Sequence, residues 1–242
     1  VGGILEATMA NKGPEIALFI GGDFPIQLAA RDLLVDLTRF SDYEEIVSER
    51  FTENISTLYT YGDGVYGLPV NQNFPMMFYR TDIFEELGIE EPPETWDELI
   101  DMISIFQRSY LDVGLVSPAS NLSSSVFDAG DTFVMLMLQS GQNIYTDDLS
   151  KTTYDTEASM QAFTTWTKFY TVYSLEQSYD AFSRFRTGEM PIIIGSYTGV
   201  YNTLVVFATE IRGSWQFFPL PGIASETEVD ENGDPVINNV AV

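Results

Sequence analysis

Polar and aromatic side chains follow the predicted strands of this chain at several points where a ligand could be held. In open α/β sheets, ligands bind beyond the carboxyl ends of the strands, where loops and helix N-termini gather. Carboxylates and amides supply paired donors and acceptors for hydroxyl groups, and aromatic faces can stack on the apolar face of a pyranose ring. The sequence therefore favours a sugar site. Its candidate residues are Gly22, Asp23, Asn71, Asn73, Asp131, Ser196, Tyr197 and Trp215.

Most of these candidates come from four segments, each beside a predicted strand or helix. The segments are residues 21–23 after the apolar run 16–20, residues 71–73 after the predicted strand 65–69, residues 128–131 before a helix at 132–139, and residues 195–197 after the apolar run 190–194. A continuous apolar run bounded by glycine is typical of a strand buried in a parallel sheet. We therefore expect the runs 16–20 and 190–194 to be buried strands.

A structural explanation is also open for most of the candidates. A short polar side chain at the start of a helix can cap it. Asparagine favours turns, and a tryptophan can belong to the core. Helix capping is the alternative for Asp23, Asp131 and Ser196. Turn formation is the alternative for Asn71 and Asn73, and a place in the core is the alternative for Trp215.

Composition excludes several classes of function. The 242 residues include 36 acidic and 11 basic side chains, a net charge of −25, with 45% hydrophobic residues. Such a charge repels phosphate backbones, so no nucleic-acid partner is expected. The chain has no His and no Cys, which excludes a Ser-His-Asp triad, thiol nucleophiles, disulfides and His- or thiolate-liganded zinc. No metal or cofactor is predicted. No apolar run approaches the ~18 residues of a membrane-spanning helix.

Local signals predict the elements that position the candidates. Residues 62–64, Gly-Asp-Gly, are typical of a hairpin turn. Thr95 followed by Glu98 predicts a capping box at the start of an amphipathic helix. An aromatic stripe over residues 156–173 predicts a long helix whose stripe faces the core, and the run 190–194 leads into a helix at 197–207. The whole pattern predicts an α/β protein.

Two segments of the chain resemble one known family. Residues 66–106 contain a polar Asn-Gln-Asn loop, an apolar run ending at Arg80, a short helix, a Pro-Pro break and a capped helix. Residues 185–222 follow the order F-x-x-G-x-M, apolar run, G-S-aromatic, helix, and W-x-F-x-P-L-P-G. Both segments, in this order, are similar to the extracellular solute-binding proteins of ABC importers, family 1, the maltodextrin-binding type.

The resemblance implies a periplasmic-binding-protein-like (type II) two-lobe α/β fold. On this interpretation residues 1–72 are a partial N-terminal lobe and residues 73–236 a nearly complete C-terminal lobe. Residues 237–242 begin the return crossing between the lobes. Members of the family are longer than this chain, so we expect it to be truncated at both ends.

The resemblance also implies a function. It predicts a non-catalytic receptor that closes two lobes around a sugar or oligosaccharide and delivers it to an ABC transporter permease. The expected location is extracytoplasmic, either periplasmic or as a cell-surface lipoprotein, with membrane association only through a lipid anchor that this chain lacks. The family pattern places a hydroxyl-binding acid at Asp23, a polar hinge-loop residue at Asn73 and a stacking residue, commonly Trp, at Tyr197.

Two alternatives remain open from the sequence. One is a receptor for another solute, such as a polyamine or a peptide, and the acidic composition favours the polyamine. The other is a carbohydrate-active enzyme that uses two carboxylates. With 36 acidic residues, a suitable carboxylate pair is almost guaranteed by chance, so the sequence selects none.

Overall fold

The computed structural model describes residues 2–18, 23–52, 55–70, 74–115, 129–176 and 179–240. The chain divides into two compact units, Val1–Gln72 and Asn73–Val242. Each unit has its own secondary structure. None of the helices that the structure describes combines the length and the apolar character that a bilayer crossing requires.

The first unit is mainly helical. A tight turn with Gly62 at φ 59° joins its two short strands, which pair antiparallel, so the predicted hairpin turn is confirmed. The returning strand ends at Val65 and does not extend over residues 65–69 as predicted. Asp36 fixes this hairpin, since its carboxylate accepts hydrogen bonds from the amides of Thr38 (3.0 Å) and Val65 (3.2 Å). The elements are α1 Gly2–Met9, α2 Phe24–Ala29, α3 Tyr43–Arg50, the 3₁₀ turns Leu37–Arg39 and Thr57–Tyr59, β1 Thr60–Tyr61 and β2 Gly64–Val65.

The predicted buried strand at residues 16–20 is wrong where the structure describes it. Residues 16–18 form no strand, and Ile16 and Leu18 are 77% and 62% exposed. A parallel strand is buried only when strands flank it and helices cover its faces. In the described part of the first unit, the only strands are the two-residue partners β1 and β2, so the apolar run has no sheet to join.

The second unit contains a four-stranded sheet of order β4-β5-β3-β6. Its central strands β3 and β5 run antiparallel, with Pro75 opposite Ser196 and Met77 opposite Ile194. The edge strand β6 pairs antiparallel with β3, and β4 pairs parallel with β5. The strands are β3 Pro75–Tyr79, β4 Val113–Gly114, β5 Ile192–Ser196 and β6 Gln216–Phe218.

Helices cover both faces of this sheet and bury two separate cores. Successive side chains of a strand point to opposite faces. Met77 therefore packs in the core lined by α5, α6 and α7, whereas Phe78 packs in the core lined by α8 and α9. The helices are α4 Thr81–Leu87, α5 Trp96–Arg108, α6 Ala129–Gln139, α7 Glu157–Thr171, α8 Ala181–Thr187 and α9 Tyr197–Phe207, with a 3₁₀ turn at Thr209–Ile211.

A hairpin follows the sheet. β7 Ile223–Val229 and β8 Pro235–Asn238 pair antiparallel, and the Asn238 amide donates to the carbonyls of Leu138 (3.1 Å) and Gln139 (2.9 Å). These bonds satisfy carbonyls at the C-terminus of α6 that have no partner within the helix. The hairpin is thereby fixed to the end of the helix Ala129–Gln139.

The capping box at α5 is confirmed, whereas two other helix predictions need correction. Thr95 Oγ1 accepts from the Glu98 amide, and the Glu98 carboxylate accepts from the Thr95 amide, both at 3.2 Å. Asp131 does not open its helix, because α6 already begins at Ala129. The stripe on α7 is only partly core: Phe169 is buried, but Met160 and Phe163 are exposed, because the described core covers only one side of the helix.

Candidate functional site

The turn from β5 into α9 carries two of the predicted site residues. Ser196 ends β5 and is the N-cap of α9, where its Oγ accepts a hydrogen bond from the Gly199 amide at 3.2 Å. This is the capping role that the sequence left open for Ser196. The next residue, Tyr197, begins the helix, so its side chain leaves the sheet at the end of a central strand.

Tyr197 is held among three other aromatic rings. It stacks on Phe74, with centroids 5.3 Å apart and planes 7° from parallel. The ring of Phe217 meets it edge-on at 5.1 Å, and Tyr201, one helical turn later, lies 5.5 Å away. The backbone amide of Tyr197 also donates to the Phe74 carbonyl at 2.8 Å. Tyr197 is therefore fixed at both its backbone and its ring.

Trp215 lies just before β6 and belongs to the same group of rings. It contacts Tyr201 edge-on at 5.8 Å and Phe78 at 6.1 Å, and it packs against the core under α8 and α9. Tyr197 and Trp215 thus share Tyr201 as a neighbour. We call this group the aromatic cluster. Its members are Phe74, Phe78, Tyr197, Tyr201, Trp215 and Phe217.

The remaining predicted residues lie elsewhere. Asp23 precedes α2 but makes no capping bond, and its carboxylate accepts instead from Gln27 Nε2 at 2.6 Å on the surface of the first unit. Asp131 lies within α6. Gly22, Asn71 and Asn73 lie outside the described residues. Among the predicted residues, the structure brings together Ser196, Tyr197 and Trp215.

Sequence reasoning missed four members of the cluster, namely Phe74, Phe78, Tyr201 and Phe217. A signal for Phe74 was available, because pairing the apolar runs 75–79 and 192–196 antiparallel with their ends in line sets Phe74 beside Tyr197. The spacing of Tyr197 and Tyr201, four residues apart in a helix, also places them on one face.

The chemistry of the cluster suits binding rather than proton transfer. It offers flat apolar rings together with the phenolic hydroxyls of Tyr197 and Tyr201, which can both donate and accept hydrogen bonds. Across the ranges that the structure describes, no group of three or more acidic side chains is arranged to hold a metal ion. Flat rings together with hydroxyl groups match a ligand that has one apolar face and polar groups around it.

Comparison with solved structures shows a shared fold. An ABC transporter solute-binding protein from Thermotoga lettingae, solved with alpha-D-tagatose, is 21% identical with a TM-score of 0.69, over 93% of this chain and 58% of that protein. The sugar-binding protein MalE from Xanthomonas citri is 17% identical with a TM-score of 0.72, over 91% of this chain and 56% of that protein. The chain has the type II periplasmic-binding-protein-like fold of these sugar-binding proteins. It spans little more than half the length of either.

Sequence comparison gives the family. The arabinooligosaccharide-binding protein of Halalkalibacterium halodurans is 32% identical over 100 residues, which are 40% of this chain and 22% of that relative. The model of the bacterial extracellular solute-binding proteins matches residues 2–230, nearly the whole chain. This family consists of binding proteins rather than enzymes, as the resemblance of residues 66–106 and 185–222 predicted. The chain belongs to the bacterial extracellular solute-binding protein family.

Proposed function

We propose that this chain is the sugar-binding part of an ABC importer's receptor and that the aromatic cluster contributes to its site. The observation that carries the proposal is the position of Tyr197, at the carboxyl end of a central strand and the N-terminus of α9. That is where ligands collect in α/β sheets. Three similar proteins support a carbohydrate ligand: the arabinooligosaccharide-binding protein, the solute-binding protein solved with alpha-D-tagatose, and the sugar-binding protein MalE.

The units Val1–Gln72 and Asn73–Val242 are proposed to be the two lobes of the receptor. A ligand that contacts both lobes biases a hinge equilibrium toward the closed form, which the permease would then recognise. Asp23, Gly22, Asn71, Asn73 and Asp131 remain proposed contacts within this scheme. We further propose that the whole receptor acts outside the cytoplasm, either in a periplasm or as a lipoprotein on the cell surface.

A calorimetric titration of the 242-residue chain tests the ligand class. Arabinotriose is the first probe, followed by maltotriose, chitotriose and tagatose, with spermidine and trialanine as the non-sugar arms. We expect saturable binding of at least one sugar, with a dissociation constant near the micromolar range, equivalent to about −8 kcal/mol. Binding of spermidine or trialanine alone would keep the fold and overturn the ligand class.

Variants connect binding to the proposed site. Tyr197→Ala removes a ring at the proposed site, whereas Phe207→Ala removes an exposed phenylalanine at the other end of the same helix. We expect the first change to weaken sugar binding and the second to leave it unchanged. Equal effects of the two variants would contradict a site at the β5–α9 turn. Release of reducing ends from the oligosaccharides would instead support the enzyme alternative.

A further inference from the structure

We propose that Phe74, rather than Tyr197, presents the ring face on which the sugar stacks, and that Tyr197 is the positioning residue behind it. This inference rests on the proposed sugar-binding function and assigns a specificity-determining residue to its site.

A stacking surface needs one ring face that no other group covers. Tyr197 is half-buried and has ring contacts with Phe74, Phe217 and Tyr201. The nearly parallel contact with Phe74 occupies one face of Tyr197, since offset stacking brings two faces together. A sugar would have to displace Phe74 to use that face.

Phe74 is the more open partner of the stack. It is 44% exposed, and among the described residues Tyr197 is its one aromatic neighbour. One face of Phe74 lies against Tyr197, so the opposite face is the one left for a ligand. An exposed aromatic ring that is already held in place binds with little loss of side-chain entropy.

The backbone fixes Phe74 before any ligand arrives. The Phe74 carbonyl accepts from the Tyr197 amide at 2.8 Å, and Pro75 pairs with Ser196 across the sheet. A residue that precedes proline is also restricted to extended conformations. Phe74 is therefore held by the β3–β5 register from one side and by its ring stack from the other.

The ring also indicates the kind of ligand surface that fits. A phenylalanine face is apolar and carries no hydrogen-bonding group, so its partner must be the apolar face of one sugar ring. Neutral sugars that expose C–H bonds on one face meet this requirement, whereas linear polyamines do not.

A titration series tests the assignment. For whichever of arabinotriose, maltotriose, chitotriose and tagatose binds the parent chain most tightly, Phe74→Ala is expected to raise the dissociation constant about five- to tenfold, as loss of an aromatic contact does. Phe74→Leu keeps apolar bulk without a flat face and is expected to weaken binding nearly as much. Phe74→Trp enlarges the platform and is expected to retain or improve affinity. Phe207→Ala, 66% exposed on α9, is the matched control.

A double-mutant cycle separates the platform from its support. Because Tyr197 acts through Phe74, Tyr197→Leu is expected to weaken binding, but the Phe74→Ala/Tyr197→Leu double variant should bind no more weakly than Phe74→Ala alone. Additive losses would show that Tyr197 contacts the sugar itself and would overturn the assignment. Circular dichroism shows whether each variant is folded. If Phe74→Ala is not folded, the sugar affinity of Phe74→Leu against that of the parent chain tests the assignment of Phe74.

The two proposals fail in different ways. If the parent chain binds none of the four sugars, the proposed function fails and the assignment of Phe74 fails with it. If the parent binds a sugar and Phe74→Ala and Phe74→Leu bind it as tightly, only the assignment is overturned. Saturable change in the Trp emission of Phe74→Trp on sugar addition, larger than that of the parent, gives an independent sign of contact at this position.

Discussion

Replacement of Arg80 by methionine should destabilise the second unit more than Asp82→Asn or Arg212→Met, because it removes a buried charge together with its hydrogen bonds. Arg80 follows β3, and its side chain is only 9% exposed. Its Nη1 donates to the carbonyls of Phe185 (3.0 Å) and Arg186 (3.2 Å) near the C-terminus of α8. Its Nε and Nη2 donate to the two carboxylate oxygens of Asp82 at 2.8 and 2.6 Å. One side chain thus joins β3 and α4 to α8.

The magnitude follows from the burial of these partners. Hydrogen bonds to a charged group contribute about 1.5–3 kcal/mol each, so the lower value for the two carbonyl bonds gives about 3 kcal/mol. The Asp82 side chain is 41% exposed and can be hydrated when its partner is lost, so the ion pair adds less than about 1 kcal/mol. Asp82→Asn should therefore cost only about 1 kcal/mol.

Urea unfolding followed by tryptophan fluorescence measures this difference. Trp96, Trp166 and Trp215 all lie in Asn73–Val242, so the signal reports that unit. With a slope of about 2 kcal/mol per molar urea, Arg80→Met should lower the midpoint by about 1.5 M. Arg212→Met, at an exposed arginine, is the control and should shift it by less than about 0.3 M.

Two results would contradict this role of Arg80: equal stability of Arg80→Met and Arg212→Met, or a loss of stability in Asp82→Asn as large as that in Arg80→Met. The second result would mean that the ion pair, not the carbonyl bonds, holds the segments together. The hydrogen bond from Arg80 lowers the pKa of Asp82 in the folded state. Its contribution is therefore present above the unfolded-state pKa and is lost as the pH falls through the folded-state pKa.

Local signals in the sequence predicted those elements whose cause is local. The capping box needs only Thr95 and Glu98, three residues apart, and the hairpin needs only the glycines that flank Asp63. The helix Tyr197–Phe207 begins where a serine follows an apolar strand, and its bounds were predicted without error. In each case the residues that determine the structure are neighbours in the chain.

Features that depend on distant partners could not be predicted in this way. The run at residues 16–20 has the composition of a buried strand, yet composition does not supply the neighbouring strands that burial requires. Gln139 is buried, and its amide is paired at both ends. Trp96 Nε1 donates to its oxygen at 2.6 Å, and its nitrogen donates to the Pro221 carbonyl at 3.1 Å. Nothing near Gln139 in the sequence indicates either partner.

The candidate site was predicted only in part from local sequence. Ser196 and Tyr197 were predicted because they follow closely on the apolar run 190–194, whereas Phe74 became visible only through the register of β3 against β5. A shift of that register by one residue would turn Met77 and Phe78 to the opposite cores. The register is therefore fixed by packing across the sheet, and the pairing of Phe74 with Tyr197 follows from the same constraint.

Three further substitutions test the packing and charge of the second unit, each by the same urea assay. Gln139→Leu leaves the Trp96 indole without an acceptor and should cost about 2 kcal/mol, whereas an unchanged midpoint would show that water replaces the amide. Gly222→Ala places a Cβ 2.6 Å from the Asn238 carbonyl oxygen and should cost about 1–3 kcal/mol, unless the β7–β8 hairpin moves without penalty. Burial is the largest influence on Asp112 and raises the pKa of its carboxyl. Ionisation of Asp112 therefore opposes folding: its contribution is most favourable below the unfolded-state pKa and declines as the pH rises through the folded-state pKa. Asp112→Asn keeps an acceptor for the Val113 amide, a bond of 2.8 Å, so it should stabilise the unit at pH 7 and lose that advantage near pH 3. A destabilisation at pH 7 would show that attraction to Arg184, 3.9 Å away, outweighs burial.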